Sequence, residues 1–185
     1  KPISFIPYIN SSIGKDFIKN KKINTFDYGL DMKIPIGNSI NIDFALNPDF
    51  SQVEVDDQLV NLTQFELRLP EKRQFFTQNS DLFTDFGQER DAEPFFSRRI
   101  GISRDLEGNT VENRIISGVR LSGKVNDNLR IGLLNVLTEE DRTKGVPQNN
   151  NTVFTLRNKV FSRSNYSFFF INRENTKTYD FVENQ

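Results

Sequence analysis

Four carboxylates cluster in one acidic segment of the chain: Asp49, Glu54, Asp56 and Asp57. Carboxylate oxygens suit hard cations, and Ca²⁺ takes about six to eight oxygen ligands. The segment therefore offers a candidate calcium site. Its spacing differs from that of an EF-hand loop, so a solvated or salt-bridged surface loop is the alternative interpretation.

The composition limits the chemistry available to the chain. None of its 185 residues is Cys or His, which excludes disulfides, thiolate nucleophiles, the usual zinc sites and imidazole catalysis. The 24 basic and 25 acidic residues leave a net charge of −1. A chain without a strong overall field is not expected to bind nucleic acid. Carboxylate chemistry, carboxylate-bound cations or no chemistry at all remain.

Glu66 and Glu71 could form the acid and base pair that glycoside cleavage requires. Many such pairs arise by chance among 25 acidic residues. We therefore expect no catalysis in this segment, no cofactor, and a structural role for the charges. The predicted network that anchors this part of the chain comprises Glu66, Glu71, Lys72, Arg73, Arg98 and Arg99.

The elements that position these residues are strands. Apolar and polar residues alternate from Phe26 to Ile34 and again over residues 40–46. A period of two is typical of a strand with one apolar and one polar face. Gly37 and Asn38 between the two segments suit a tight hairpin turn.

Two further hairpins are predicted along the chain. One spans residues 117–125 and 129–133, and the other spans residues 152–161 and 166–173. A weaker strand is predicted over residues 3–12, where Pro7 indicates an edge or a bulge. The pattern favours an antiparallel all-β meander.

The length of these strands raises the question of where they fold. Strands in soluble proteins usually have about five or six residues, whereas tilted membrane-spanning strands need about nine to eleven. The predicted strands of about ten residues favour an outer-membrane β-barrel, with a soluble β-sandwich as the alternative.

In a barrel, one set of apolar side chains would face lipid. It comprises Tyr28, Leu30, Ile42, Phe44, Val119, Leu121, Phe168 and Phe170. We expect substitution of any of these residues by Arg to lower the stability of the folded barrel by about 2 to 4 kcal/mol. Arg at their neighbours Gly29, Asp43 and Ser167 is expected to be milder.

A long insertion interrupts the alternation. It covers residues 48–113 and includes 94–103, and it leaves short turns alternating with long connections at 14–22 and 138–151, as in outer-membrane barrels. Its aromatic residues are Phe65, Phe75, Phe76, Phe83, Phe86, Phe95 and Phe96. We expect them to form a small core of their own, so that the insertion is a plug or cap at the barrel mouth.

The segments "NPDFSQVEVD", "VNLTQFEL", "PEKRQFF", "SDLF" and "FFSRRIG" resemble, in the same order, the barrel region of a family of domains of unknown function. These are Gram-negative outer-membrane proteins that carry an N-terminal domain similar to carbohydrate-binding-module family 9. The similarity covers roughly Asn24 to Leu137. The chain departs from the family at Val55, Gln74 and Asn79, where Ala, Pro and Gly are common.

The resemblance implies a protein in the outer membrane of a Gram-negative bacterium, in contact with its lipid. It implies carbohydrate binding through a domain outside this chain, and other outer-membrane or periplasmic proteins are further expected partners. The expected role is binding or passage of a ligand at the cell surface, with a glycan-related molecule as the candidate. The alternative is a soluble β-rich carbohydrate-binding module or a glycoside hydrolase fragment. Because the chain starts without Met and stops in an apparent strand, we expect all 185 residues to be the N-terminal part of a barrel in a longer chain.

Overall fold

The computed structural model describes residues 2–16, 21–48, 71–86, 94–161 and 163–176. An antiparallel seven-stranded sheet dominates it, in the order β1-β2-β3-β6-β7-β8-β9. Its strands are β1 (Ser4–Asp16), β2 (Lys21–Ile36), β3 (Ile40–Leu46), β6 (Ile115–Lys124), β7 (Leu129–Thr138), β8 (Asn149–Phe161) and β9 (Ser164–Asn175). The predicted antiparallel all-β fold is confirmed.

The chain between β3 and β6 forms small elements outside this sheet. They are α1 (Gln74–Thr77), α2 (Asp81–Thr84), a single 3₁₀ turn (Ser97–Arg99), β4 (Ile102–Arg104) and β5 (Thr110–Glu112). Strands β4 and β5 pair only with each other among the described residues. No helix in the described ranges is long and apolar enough to cross a membrane.

The strands extend further than the alternation predicts. Strand β1 continues to Asp16 and β2 begins at Lys21, so the long connection expected over residues 14–22 shrinks to residues 17–20. Strand β8 begins at Asn149 instead of residue 152. These additional strand residues are largely polar, and backbone pairing does not require the apolar alternation by which a strand is recognised. Pro7 lies on β1, at one edge of the described sheet, as expected for a residue that cannot donate to a ladder.

One side of the sheet, called here the open face, carries the apolar set predicted to face lipid. The register places apolar residues directly opposite one another across six strands, as Ile34, Ile42, Leu121, Leu133, Phe154 and Phe170. Tyr28 is 68% exposed and Phe168 is 53% exposed. A continuous apolar surface thus runs across the sheet without a covering layer among the described residues.

The opposite side, called here the covered face, packs against the insertion. Leu134, Val136 and Val153 on this face are at most 1% exposed. They share one core with residues of the insertion: Phe76, Leu82, Phe83, Phe95 and Ile100. The prediction that the aromatic residues form a core of their own is wrong for the described residues, because Phe76, Phe83 and Phe95 share their core with side chains of the sheet. Phe65 lies outside the described residues.

Candidate functional site

Arg120 on β6 is the central charged residue between the covered face and the insertion. Its side chain is 2% exposed, and its Nη2 donates to Oδ2 of Asp43 at 2.8 Å. Asp43 lies directly opposite on β3. The Nη1 of Arg120 donates to the backbone carbonyls of Phe75 and Gln78, the latter at 2.7 Å. One guanidinium therefore neutralises a carboxylate of the sheet and satisfies two carbonyls at the end of α1.

The turn between α1 and α2 also contacts the sheet through amide side chains. Gln78 accepts a hydrogen bond from Lys33 Nζ at 2.5 Å, and Asn79 donates to Ser122 Oγ at 2.9 Å. Asn79 has a φ of 51°, a left-handed conformation that Gly and Asn adopt more readily than other residues. Asn79 therefore adopts the left-handed turn and also hydrogen-bonds the sheet through its side chain.

Two acidic residues of the insertion pair with arginines of the neighbouring strands. Asp81 Oδ2 lies 2.6 Å from Arg130 Nη1 on β7, and Asp85 Oδ2 lies 2.6 Å from Arg157 Nη1 on β8. Hydrogen bonding to Arg130 is the main reason that the pKa of Asp81 lies below its ordinary value, against a smaller opposing effect of burial. The insertion is thus tied electrostatically to strands β6, β7 and β8 in turn.

Aromatic side chains of the insertion fill the positions where the covered face lacks side chains. A Cβ at Gly118 would lie 2.7 Å from Phe75 Cζ, and a Cβ at Gly132 would lie 2.9 Å from Phe83 Cζ. Both distances are shorter than carbon atoms tolerate. The ring of Phe86 lies 4.6 Å from that of Phe169 on β9. Glycine in these two strands therefore admits the rings and lets the helices approach the sheet.

Glu71 and Arg73 form a second polar centre, deeper in the insertion. Nη2 of Arg73 lies 2.7 Å from Oε2 of Glu71, and the side chains are 9% and 14% exposed, respectively. Arg73 also donates to the carbonyls of Ser97 and Ile100, at 2.8 and 2.7 Å. The Ser97 hydroxyl donates to Glu71 at 2.6 Å. These bonds join residues 71–73 to the 3₁₀ turn, which is a later part of the same insertion.

The environment of Glu71 is unfavourable for a general acid. Burial raises its pKa, but the hydrogen bonds and charge of Arg73 outweigh burial and hold the pKa below its ordinary value. A glycosidase acid needs a raised pKa so that it is protonated at neutral pH. Glu71 is instead kept ionised as the acceptor of a structural ion pair.

The other residues of the predicted anchoring network are placed differently. Lys72 is exposed next to the Glu71–Arg73 pair. Arg98 is partly buried and Arg99 exposed, both on the 3₁₀ turn whose Ser97 carbonyl Arg73 contacts. Glu66 lies outside the described residues.

The candidate calcium ligands Asp49, Glu54, Asp56 and Asp57 also lie outside the described residues. In the described ranges, no group of three or more acidic side chains is positioned to hold a metal ion. Calcium binding by the acidic segment stays a prediction.

The sequence pattern does not reveal several residues that join the insertion to the sheet: Gln78, Asp81, Asp85 and Arg157. One available signal is the spacing of Asp81 and Asp85, which flank the apolar residues Leu82 and Phe83. Carboxylates on either side of a short apolar run suggest a segment whose central side chains are buried and whose terminal carboxylates pair with basic residues.

The covered face also contains a buried polar network that the alternation does not reveal. Asn113, just before β6, donates to the hydroxyls of Ser103 and Thr138, both at 3.1 Å. Thr138 in turn accepts from the backbone N–H of Asn149 at 3.1 Å. The network links the β4–β5 hairpin to the adjacent ends of β7 and β8.

The comparisons with known proteins give one match. Residues 2–179 match a family described as Domain of unknown function (DUF5916). No curated protein and no solved structure matches the chain. Since the match covers nearly the whole sequence, the chain belongs to the DUF5916 family of domains of unknown function.

Proposed function

We propose that this chain is part of the wall of a β-barrel in the outer membrane of a Gram-negative bacterium. In this proposal the open face contacts lipid and the covered face lines the interior, where the insertion acts as a plug. The protein binds a ligand or lets it pass at the cell surface, and the ligand is glycan-related. This segment carries out no catalysis.

The open face is the observation that carries the proposal. Soluble monomers rarely expose contiguous apolar patches larger than a few hundred Å², and here apolar side chains oppose one another across six strands. The charged residues Asp43, Arg120 and Arg157 lie on the other side. Apolar residues outside and polar residues inside are typical of a transmembrane barrel.

Strand lengths and connections support the same proposal. Six of the seven strands have between 10 and 16 residues, enough for a tilted span of a bilayer. Short turns join β2 to β3, β6 to β7 and β8 to β9, while the connections from β3 to β6 and from β7 to β8 are longer; the connection between β1 and β2, residues 17–20, is the exception. Outer-membrane barrels alternate short and long connections in this way.

The partners in this proposal are outer-membrane lipid and, through a domain outside this chain, carbohydrate. The carbohydrate link rests on the resemblance to proteins that carry a domain similar to carbohydrate-binding-module family 9. Other outer-membrane or periplasmic proteins are further candidate partners.

Fractionation of the full-length protein tests the location. We expect the protein to sediment with outer membranes and to need detergent for its release. Extraction by salt or carbonate alone would contradict the proposal, since only a peripheral or soluble protein is released that way.

Spin labels test the orientation of the two faces. The chain has no Cys, so a single introduced Cys gives a unique attachment site. Phe168 and Ser167 are adjacent, exposed and on opposite faces of β9. In Phe168→Cys we expect the label to be more accessible to oxygen, which partitions into lipid, than to a water-soluble nickel complex. In Ser167→Cys we expect the reverse, and the same preference at both sites would refute the orientation.

A further inference from the structure

The covered face carries a cluster of cations at the end of the sheet where the short turns lie. Arg130 on β7 and Arg157 on β8 are directly opposite in register. Lys124 on β6 lies opposite Arg130, and Lys159 is two residues beyond Arg157 on the same face. Like charges directly opposite each other destabilise a sheet. This end of the covered face therefore requires anions.

Two carboxylates of the insertion supply negative charge from above the cluster. The side chains of Asp81 and Asp85 are 52% and 71% exposed, whereas those of their partners Arg130 and Arg157 are 32% and 20% exposed. The carboxylates thus lie on the solvent side of the arginines. They approach the arginines from the direction in which a dissolved anion would arrive.

The arginines retain capacity for further hydrogen bonds. Among the described residues, the Nε atoms of Arg130 and Arg157 are buried and have no hydrogen-bond partner. Arg130 uses Nη1 for Asp81, and Arg157 uses Nη1 and Nη2 for Asp85. A guanidinium binds an oxyanion best through two parallel N–H groups. Such a pairing, through Nε, is unused in the structure, and because both Nε atoms are buried an anion reaches it only when the insertion moves away.

We propose that Arg130 and Arg157, with Lys124 and Lys159 beside them, form a binding site for a small polyvalent oxyanion. The ligand carries two or more carboxylate or phosphate groups, and Asp81 and Asp85 occupy the site in its absence. The location of the site inside a barrel rests on the proposed function. The competition between the ligand and the two carboxylates does not depend on the proposed function.

Calorimetry with citrate and with inorganic pyrophosphate tests the site in the full chain purified in detergent. Replacing both carboxylates, as Asp81→Asn with Asp85→Asn, should tighten binding of at least one probe by about tenfold, because two competing ion pairs are removed. Adding Arg130→Gln and Arg157→Gln should abolish the gain. Glu112→Gln, which removes an exposed carboxylate on β5, is the control and should leave the affinity unchanged. Affinities for both probes within about twofold of the unaltered protein would overturn the inference.

The unaltered protein provides a second measurement that does not depend on the variants folding. Citrate should displace α2 from the sheet and speed proteolysis at Phe83 and Phe86, compared with sodium chloride at equal ionic strength. Equal rates would overturn the inference. The citrate experiments need no pore, so anion binding by a protein that fails the fractionation test would refute the barrel and leave the site. If the protein is inserted in the membrane but citrate does not compete with Asp81 and Asp85, the anion site is refuted and the barrel is not.

Discussion

At the scale of single residues, arginine side chains link separate parts of the insertion to one another and link the insertion to the sheet. Arg73 and Arg120 each contact a carboxylate and two backbone carbonyls. The planar guanidinium has five N–H donors in a fixed geometry, so one side chain can satisfy several acceptors at once. Lysine, with a compact ammonium group, would leave some of these carbonyls without a partner.

Arg73→Ala should loosen the insertion. The substitution leaves Glu71 largely buried without its cation, and removing one partner of a buried pair costs about 3 to 5 kcal/mol. We expect new protease cleavage between Asp49 and Phe86 in otherwise intact protein. Lys144→Ala is the control, because its side chain and that of its partner Asp141 are 49% and 34% exposed and an exposed pair is worth about 0 to 1 kcal/mol. Equal protease resistance of both variants would contradict the structural role of Arg73.

The Glu71 ion pair also predicts a dependence of stability on pH. The folded state holds the pKa of Glu71 below its ordinary value of 4.5. The stabilisation is therefore fully present above that value and is lost as the pH falls through the lower, folded pKa. We expect the acid loss of protease resistance to be smaller in Glu71→Gln than in the unaltered protein. Identical acid profiles would show that Glu71 does not titrate differently in the two states.

Asp141, in the connection between β7 and β8, offers a test that does not involve the insertion. Hydrogen bonds from Thr143 and Lys144 lower its pKa to about 2. The turn should therefore be stabilised above the ordinary pKa of 3.8 and lose this contribution as the pH falls through about 2. Thr143→Ala should shift the Asp141 carboxyl titration upward in a carbon-detected NMR experiment. An unshifted titration would contradict the role of the Thr143 hydroxyl.

At the scale of elements, α1 and α2 are too short to form alone. Each has four residues, and isolated helices shorter than about 12 to 15 residues are marginal in water. They exist because Phe76, Leu82 and Phe83 are buried in the shared core. The left-handed Asn79 between them reverses the chain so that both helices contact the covered face.

Gln74→Pro should stabilise the insertion. Gln74 is the first residue of α1, and Arg73 before it has the extended backbone (ψ 117°) that a following Pro requires. Pro at a compatible position typically adds about 0.4 to 1 kcal/mol by restricting the unfolded chain. Slower proteolysis of the insertion is the expected readout. Thr77→Pro is the control and should destabilise α1, because the Thr77 N–H donates to the Arg73 carbonyl at 3.2 Å.

At the scale of the whole molecule, the sheet has two chemically different faces, and the described residues cover only one of them. The insertion lies on the face that contains Arg120, while Phe154 and Phe170 remain on the other. In water this arrangement would hide the polar side and expose the apolar side. It is the arrangement expected when lipid surrounds the sheet.

Deletion of residues 57–85 should raise the conductance of the protein in planar bilayers. The deletion removes α1 and α2, which pack on the covered face around Arg120 and Arg130. Their removal should open the interior of the proposed barrel. Unchanged conductance, with wild-type protease sensitivity in the flanking residues, would show that the insertion lies outside the pore. Its contacts with an external partner would then become the more important question.

The amino-acid sequence alone is sufficient to predict the central residues of the seven main-sheet strands, two of the short turns and the separation of apolar from polar faces. Each of these features depends on neighbours within a few residues. Alternation over residues 26–34 and 40–46 predicts both strands of the first hairpin, because side chains alternate between faces at every residue of a strand. The alternation of short and long connections predicts that residues 94–103 lie in the insertion, and in the structure they are not part of the seven-stranded sheet.

The tertiary structure alone determined which side chains meet. Arg120 is 77 residues from Asp43 and 42 from Gln78, and Arg157 is 72 residues from Asp85. It also places close neighbours at two positions where Arg is expected to be milder: a Cβ at Gly29 would contact the Tyr8 ring, and Asp43 lies opposite Arg120. Ser167 alone of the three stays exposed and uncrowded. Periodicity identifies the face on which a residue lies, but its partner depends on the register of the strands and on the path of the insertion across them.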